Sequence, residues 1–173
     1  FGFQRVGDLI WAAADARARG FLLGATAGRT TLHGEGLQHQ DGHSHVLAST
    51  VPTCEAYDPA FAYETAEIVR HGIERMYGPE PEDVFYYLTL YNENHPMPAM
   101  PEGLDAADIV RGLYRWAPAP ETDRRATVLF SGSAHGAARA AAAELAEYGI
   151  GVDLWSATSY KALRDDALSA VRW

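Results

Sequence analysis

The sequence holds a single cysteine, Cys54, among its 173 residues, so it cannot form an internal disulfide, which fits a reducing compartment. Positive charge is also scarce: 14 Lys and Arg stand against 23 Asp and Glu, for a formal net charge of −9. Nucleic acids bind to clustered Lys and Arg, so this balance disfavours them as partners. Because no apolar run approaches ~20 residues, no membrane span is predicted either. We therefore expect a cytoplasmic protein.

The composition is that of a globular protein, with 47% hydrophobic and 21% charged residues. The ends are less usual, because the chain opens on Phe1 within an apolar pattern and closes on Trp173 within a predicted helix. Natural domain ends tend to be polar and loosely held. We therefore expect a piece of a longer polypeptide.

Hydrophobic periodicity predicts alternating helices and strands along the first two thirds of the chain. The predicted elements are a helix over residues 2–19, strands at 21–23 and 51–57, a helix over 58–77 and a strand at 84–91. Gly20 is the expected stop of the first helix, and Asp58 is the expected N-cap of the second, with Pro59 at its first position. Residues 105–115 fit either a short helix or the approach to a strand at 113–116.

Residues 117–125 are polar and contain proline, which is typical of a linker. A strand at 126–130, a turn, a helix at 134–148, a strand at 152–156 and a helix from about residue 160 follow it. This β-α-β-α order predicts a parallel sheet with helical crossovers. The chain is therefore predicted to be α/β, with one unit at 1–116, a linker at 117–125 and a second unit at 126–173.

The segment from residue 24 to residue 45 contains five glycines and four histidines and is predicted to be a long functional loop. His39, His43 and His45, with Asp41, could form a zinc site, although there is no HExxH pattern and no helix to hold the ligands. The histidines at 33, 43 and 45 could instead simply bond the backbone of the loop.

A third interpretation explains the glycines as well. Gly34 and Gly36 would let the backbone pass close to a ligand, so that Glu35 and His39 project into one cleft. An imidazole titrates near neutrality and can transfer a proton or donate a hydrogen bond there. An enzyme site, a His-rich metal-binding hydrolase and a non-catalytic interaction module thus remain open.

Four stretches of the sequence carry a resemblance to a known family. FGFQRVGDLIWAA, GRTTLHGEGLQHQDGHSH, YDPAFAYETAEIVRHGIERMYG and NENHPMPAMPEG resemble the homodimeric type of pyruvate dehydrogenase, specifically its first, decarboxylating component. The resemblance runs through about the first 115 residues and continues more loosely to the end. The shorter G-E-x-G-x-x-H-Q theme is shared with the wider transketolase superfamily.

The resemblance implies an α/β, thiamine diphosphate-binding (transketolase-like) fold of parallel sheets with flanking helices, incomplete at both ends. Residues 1–116 would be the C-terminal part of the middle, pyrimidine-binding domain, and residues 126–173 the beginning of the C-terminal domain. The parent enzyme would be a homodimer that uses thiamine diphosphate and Mg²⁺ to decarboxylate pyruvate. It would pass the acetyl group to a lipoyl-bearing acyltransferase component.

The resemblance also implies roles for four residues. His39 would be the catalytic histidine that contacts the substrate-derived oxygen or the incoming dithiolane, with Glu35 as a nearby acid. Phe1 would stack on the aminopyrimidine of the cofactor, and Arg5 would lie on the same wall. The Gly-Asp-Gly motif for diphosphate and Mg²⁺ is missing, so no metal ligand is predicted here, and the chain alone is expected to be inactive.

Overall fold

The computed structural model describes residues 2–25 and 43–173. The described helices are α1 (Gly7–Asp15), α2 (Ser44–Ala48), α3 (Ala62–Tyr77), α4 (Ala106–Arg111), α5 (His135–Glu147) and α6 (Tyr160–Arg172). The strands are β1 (Phe21–Gly24), β2 (Cys54–Tyr57), β3 (Phe85–Thr89), β4 (Tyr114–Ala117), β5 (Arg124–Phe130) and β6 (Ile150–Ser156). They form two three-stranded sheets, so the predicted α/β class is confirmed.

The first sheet has the strand order β1-β3-β2, and both pairs are parallel. All five residues of the central strand β3 are buried, which matches the unbroken aromatic and aliphatic run that predicts it. Leu22 of β1 lies opposite Tyr87, and Ala56 of β2 lies opposite the same tyrosine. The carboxyl ends of β2 and β3 therefore lie side by side.

The N-terminal helix is shorter than predicted. A 3-10 turn (Gly2–Arg5) precedes α1, and α1 ends at Asp15 rather than at Gly20. The chain leaves the helical conformation at Arg17, which has a left-handed φ of 55°. Just before β1, Arg19 bonds the Asp83 carboxylate through Nε at 3.1 Å and Nη2 at 2.6 Å.

The prediction of Asp58 as the N-cap of α3 is wrong, because the helix begins at Ala62 with Phe61 as its N-cap residue. The carboxylate of Glu64 reaches back and accepts hydrogen bonds from the backbone N–H groups of Ala60 at 2.5 Å and Phe61 at 3.1 Å. Glu64 thus caps the N-terminus of α3 in place of Asp58, whose own side chain bonds other residues.

The second sheet has the strand order β4-β6-β5. β5 and β6 are parallel as predicted, whereas β4 runs antiparallel to β6. Residues 105–115 therefore contain both of the structures left open, α4 and the start of β4. Because β4 is hydrogen-bonded to β6, residues 114–116 join the second sheet rather than the first.

The two sheets share buried contacts. The Phe61 ring lies 5.5 Å from the Trp116 ring of β4 and 6.0 Å from the Phe130 ring of β5, measured between centroids. The Ser159 hydroxyl donates to the Ala56 carbonyl at 2.7 Å. We call the buried boundary between the two sheets the seam. Within the described residues, no helix is long and apolar enough to cross a membrane.

Candidate functional site

A cluster of polar side chains lies at the carboxyl ends of the first sheet's strands, where parallel sheets commonly bind ligands. His45 Nε2 lies 3.0 Å from the Thr89 hydroxyl oxygen, and that hydroxyl donates to the Asp58 carboxylate at 2.5 Å. The Tyr91 hydroxyl donates to the same carboxylate oxygen. We call these four residues the Asp58 cluster.

The hydrogen bonds of the Asp58 cluster favour one tautomer of His45. The Thr89 hydroxyl donates to the Asp58 carboxylate, so its oxygen is the atom that can accept a hydrogen bond from His45 Nε2. This arrangement calls for the tautomer that has its proton on Nε2.

A cavity of about 400 Å³ adjoins the cluster and lies between the sheets, within the usual size range of small-molecule sites. Its polar lining is largely engaged within the protein. Ser131 donates to the Ala157 carbonyl, and the nearly buried Lys161 holds the Asp165 carboxylate at 2.7 Å. The cavity has the shape of a ligand site, but its polar groups do not point to one particular ligand.

Glu64 is a completely buried carboxyl group in the seam. Besides the two backbone N–H groups, it accepts hydrogen bonds from the Tyr114 hydroxyl and the Ser156 hydroxyl, both at 2.6 Å. Burial raises the pKa of Glu64, and the four hydrogen bonds oppose that rise. One side chain of α3 is thereby bonded to both β4 and β6.

Most of the sequence-predicted site lies outside the described residues: Phe1, Glu35 and His39, together with His33 and Asp41. Arg5 is described, and it ends the 3-10 turn with an exposed side chain. Since three of the four predicted site residues lie outside the described ranges, the roles of all four stay predictions.

The structure places His43 and His45 at the start of α2. His43 is the residue before the helix, and His45 Nε2 lies at hydrogen-bond distance from the Thr89 side chain. In the described ranges, no three His, Cys, Asp or Glu side chains are grouped so that they could hold a metal ion.

Asp58, Thr89 and Tyr91 were missed as a group by sequence reasoning, although the signal for them was present. Each lies within two residues of the end of a predicted strand, at 51–57 or 84–91. Because the two strands are parallel neighbours, their carboxyl ends meet. Polar residues at the carboxyl ends of neighbouring parallel strands are therefore candidates for one shared cluster.

Cys54 is expected to be unreactive in the folded chain. It is fully buried in β2, and burial raises the pKa of its thiol to about 12, so almost no thiolate forms at pH 8. We expect iodoacetamide at pH 8 to leave Cys54 unmodified until denaturant is added, as measured by peptide mass spectrometry. Alkylation of the native chain at the rate of the denatured chain would contradict this burial.

Comparison with known proteins gives a consistent family. The model of the pyruvate dehydrogenase E1 component middle domain matches residues 1–98. The chain is 52% identical over 174 aligned residues to the pyruvate dehydrogenase E1 component of Escherichia coli (strain K12), covering 100% of this chain and 20% of that protein. It is 56% identical to that of Mycolicibacterium smegmatis, covering 98% of this chain and 18% of the relative.

Solved structures show the same fold at much lower identity. A transketolase mutant (H261F) from Pichia stipitis matches with a TM-score of 0.68 and 18% identity, over 92% of this chain and 22% of that one. The transketolase of Campylobacter jejuni matches with a TM-score of 0.67 and 15% identity, over 92% and 24%. The predicted transketolase-like fold is confirmed.

The chain spans about a fifth of the length of the curated relatives it matches. The alternative of a His-rich metal-binding hydrolase is not supported by any of these relatives. The matching family model and the identity of about 50% over the whole chain confirm the resemblance seen in the sequence. The chain belongs to the pyruvate dehydrogenase E1 component family, a family of thiamine diphosphate-dependent enzymes.

Proposed function

We propose that the polypeptide carrying this chain decarboxylates pyruvate and passes the acetyl group to a lipoyl-bearing acyltransferase. The observation that carries the proposal is the 52% identity to a pyruvate dehydrogenase E1 component across all of this chain. The 18-residue run from Gly28 to His45 and the PMPAMPEG run support pyruvate as substrate, because transketolases resemble only the shorter theme.

Thiamine diphosphate, when bound, supplies the electron sink for decarboxylation. In this chain Phe1 and Arg5 are the proposed wall of its pyrimidine site, and the exposed side chain of Arg5 is compatible with contact to a ligand. The proposal also includes Mg²⁺. Its ligands would lie outside this chain, since the chain lacks the Gly-Asp-Gly motif. No ligand set for it occurs among the described residues.

Glu35 and His39 are the proposed catalytic residues. The His39 imidazole would hold or donate a proton at the oxygen derived from pyruvate, or contact the incoming dithiolane. Glu35 would accept hydrogen bonds beside it.

The proposal includes a homodimer, a cytoplasmic location and the lipoyl-bearing acyltransferase as partner. It also includes the division into residues 1–116, a linker at 117–125 and residues 126–173 as parts of a middle and a C-terminal domain. The family model that ends at residue 98 supports a change of domain after that point.

The test is the substitution His39→Ala in the full-length polypeptide. We expect acetyl transfer to the lipoyl group to fall roughly 100-fold, as is typical when a proton-transfer group is removed. The assay measures transfer to a lipoylated acyltransferase domain and, separately, pyruvate decarboxylation with an artificial electron acceptor.

The matched control is His71→Ala on α3, where the charged groups around the ring, among the described residues, are Glu55, Arg70, Glu74 and Arg75. It should change either rate less than twofold. Full transfer activity in the His39→Ala enzyme would refute the proposed role of His39. A wild-type enzyme with no thiamine diphosphate-dependent consumption of pyruvate would refute the proposed function itself.

A further inference from the structure

Two histidines meet across the seam. His95 lies in the irregular segment that follows β3 of the first sheet, and His135 is the first residue of α5, after β5 of the second sheet. Their ring centroids are 4.5 Å apart, with a tilt of 40° between the ring planes. This contact joins residues from the two sheets through a pair of titratable rings.

The surroundings of His135 favour its neutral imidazole. His135 is only 7% exposed. His135 Nδ1 and His95 Nε2 are both buried, and neither has a hydrogen-bond partner among the described residues. A protonated imidazole carries N–H donors on both nitrogens, so a proton added to His135 would place an unpaired donor and a charge in a buried position.

The charged groups near His135 also oppose a proton. Arg139 lies one turn further along α5, where its guanidinium is 5.8 Å from the centre of the Trp116 ring. Burial, the neighbouring His95 and Arg139 lower the pKa of His135, and Glu93 acts weakly in the opposite direction. The N-terminus of α5, with its partial positive charge, lies at the same place.

One further ring completes the surroundings of His135. The Phe61 ring, at the start of α3, lies 5.2 Å from the His135 ring between centroids. It offers no charge that could stabilise an imidazolium beside the segment after β3. The groups that contact His135 from α5, from that segment and from α3 thus either disfavour the proton or, in the case of Glu93, compensate it only in part.

We propose that the contact between His95 and His135 is a pH-sensitive switch that holds the segment after β3 against α5 and releases it when His135 is protonated. The sign follows from the lowered pKa of His135. The contact has its full stability above the ordinary histidine pKa of about 6.5, and it loses stability as the pH falls below that value.

The test is hydrogen exchange of the full-length polypeptide, followed by mass spectrometry at pH 7.5 and pH 5.5. Rates are corrected for the intrinsic effect of pH on amide exchange. In the wild-type chain, the corrected exchange of peptides covering residues 90–104 and 132–145 should rise about tenfold at pH 5.5, one unit below the ordinary pKa. Unchanged corrected rates in both peptides would overturn the proposal.

Two variants assign the effect to His135. His135→Leu and His135→Phe each keep an apolar contact and remove the ring whose pKa is lowered, so the rise at pH 5.5 should shrink at least threefold in each. His71→Phe, at a histidine on α3 whose pKa is also lowered, should keep the wild-type rise. If His135→Leu does not fold, His135→Phe decides alone. A rise of wild-type size in the variants would overturn the proposal, whatever the enzyme's activity.

Discussion

The substitution Glu64→Ala is expected to lower the free energy of unfolding of the chain by about 4 kcal/mol, because it strips a fully buried carboxyl group from four donors. The two hydroxyl groups that lose their acceptor belong to Tyr114 and Ser156, which are themselves buried. The truncation also leaves a cavity between α3 and the second sheet. Urea unfolding followed by tryptophan fluorescence measures the loss.

The substitution Glu64→Gln keeps the volume of the side chain and changes only its hydrogen bonds, so it separates the loss of hydrogen bonds from the loss of volume. Its amide oxygen can accept from the backbone N–H groups of Ala60 and Phe61, and its NH₂ group can donate to the hydroxyl oxygens of Tyr114 and Ser156. We expect a loss of about 1.5 kcal/mol.

Glu74→Ala is the matched surface control for both substitutions. The Glu74 side chain is 69% exposed on the same helix and pairs with Arg70, so its removal should cost less than about 0.5 kcal/mol. Equal losses for Glu64→Ala and Glu74→Ala would show that the buried network does not stabilise the seam.

The substitution Gly132→Ala is expected to cost about 3 kcal/mol or more, for two reasons that add. Gly132 has a left-handed φ of 45°, and a Cβ at this position would overlap the Tyr91 hydroxyl and lie 2.7 Å from the Asp58 carboxylate oxygen. The Gly132 N–H also donates to the Asp58 carbonyl at 3.1 Å, so the turn cannot shift without losing that bond. Thermal unfolding measured by circular dichroism tests this.

Gly136→Ala is a control for which we expect a gain in stability instead of a loss. Gly136 lies inside α5, and no described atom lies within 4 Å of a Cβ built on it. Alanine is a better helix former than glycine, so this variant should gain up to about 1 kcal/mol. A Gly132→Ala variant as stable as the wild type would contradict the close packing of the turn against the Asp58 cluster.

The elements predicted best from the sequence are those whose pattern depends on local chemistry. The apolar run of β3 and the strand-turn-helix-strand order around β5 and β6 need only short stretches of sequence to be recognised. The start of α3 was missed because Asp58 is attractive as a local N-cap, while its actual partners, Thr89 and Tyr91, lie more than 30 residues away.

In the candidate site, too, local sequence features could be predicted and contacts between distant residues could not. The histidine-rich segment is recognisable by composition, yet the partner of His45 depends on the pairing of β2 with β3. The direction of β4 was equally beyond prediction, because a four-residue strand does not specify which neighbour it will pair with. Long-range pairing therefore decides what the residues in these places do.

The strand orders β1-β3-β2 and β4-β6-β5 have a consequence for the order of synthesis. In each described sheet the central strand is the last of its three strands to leave the ribosome. Until the central strand emerges, the two outer strands have no described neighbour to pair with. In each sheet, more than 30 residues separate the first outer strand from the central strand. Each sheet therefore assembles late and in one step, and a pause in translation just before β3 or β6 would leave apolar strands exposed to aggregation.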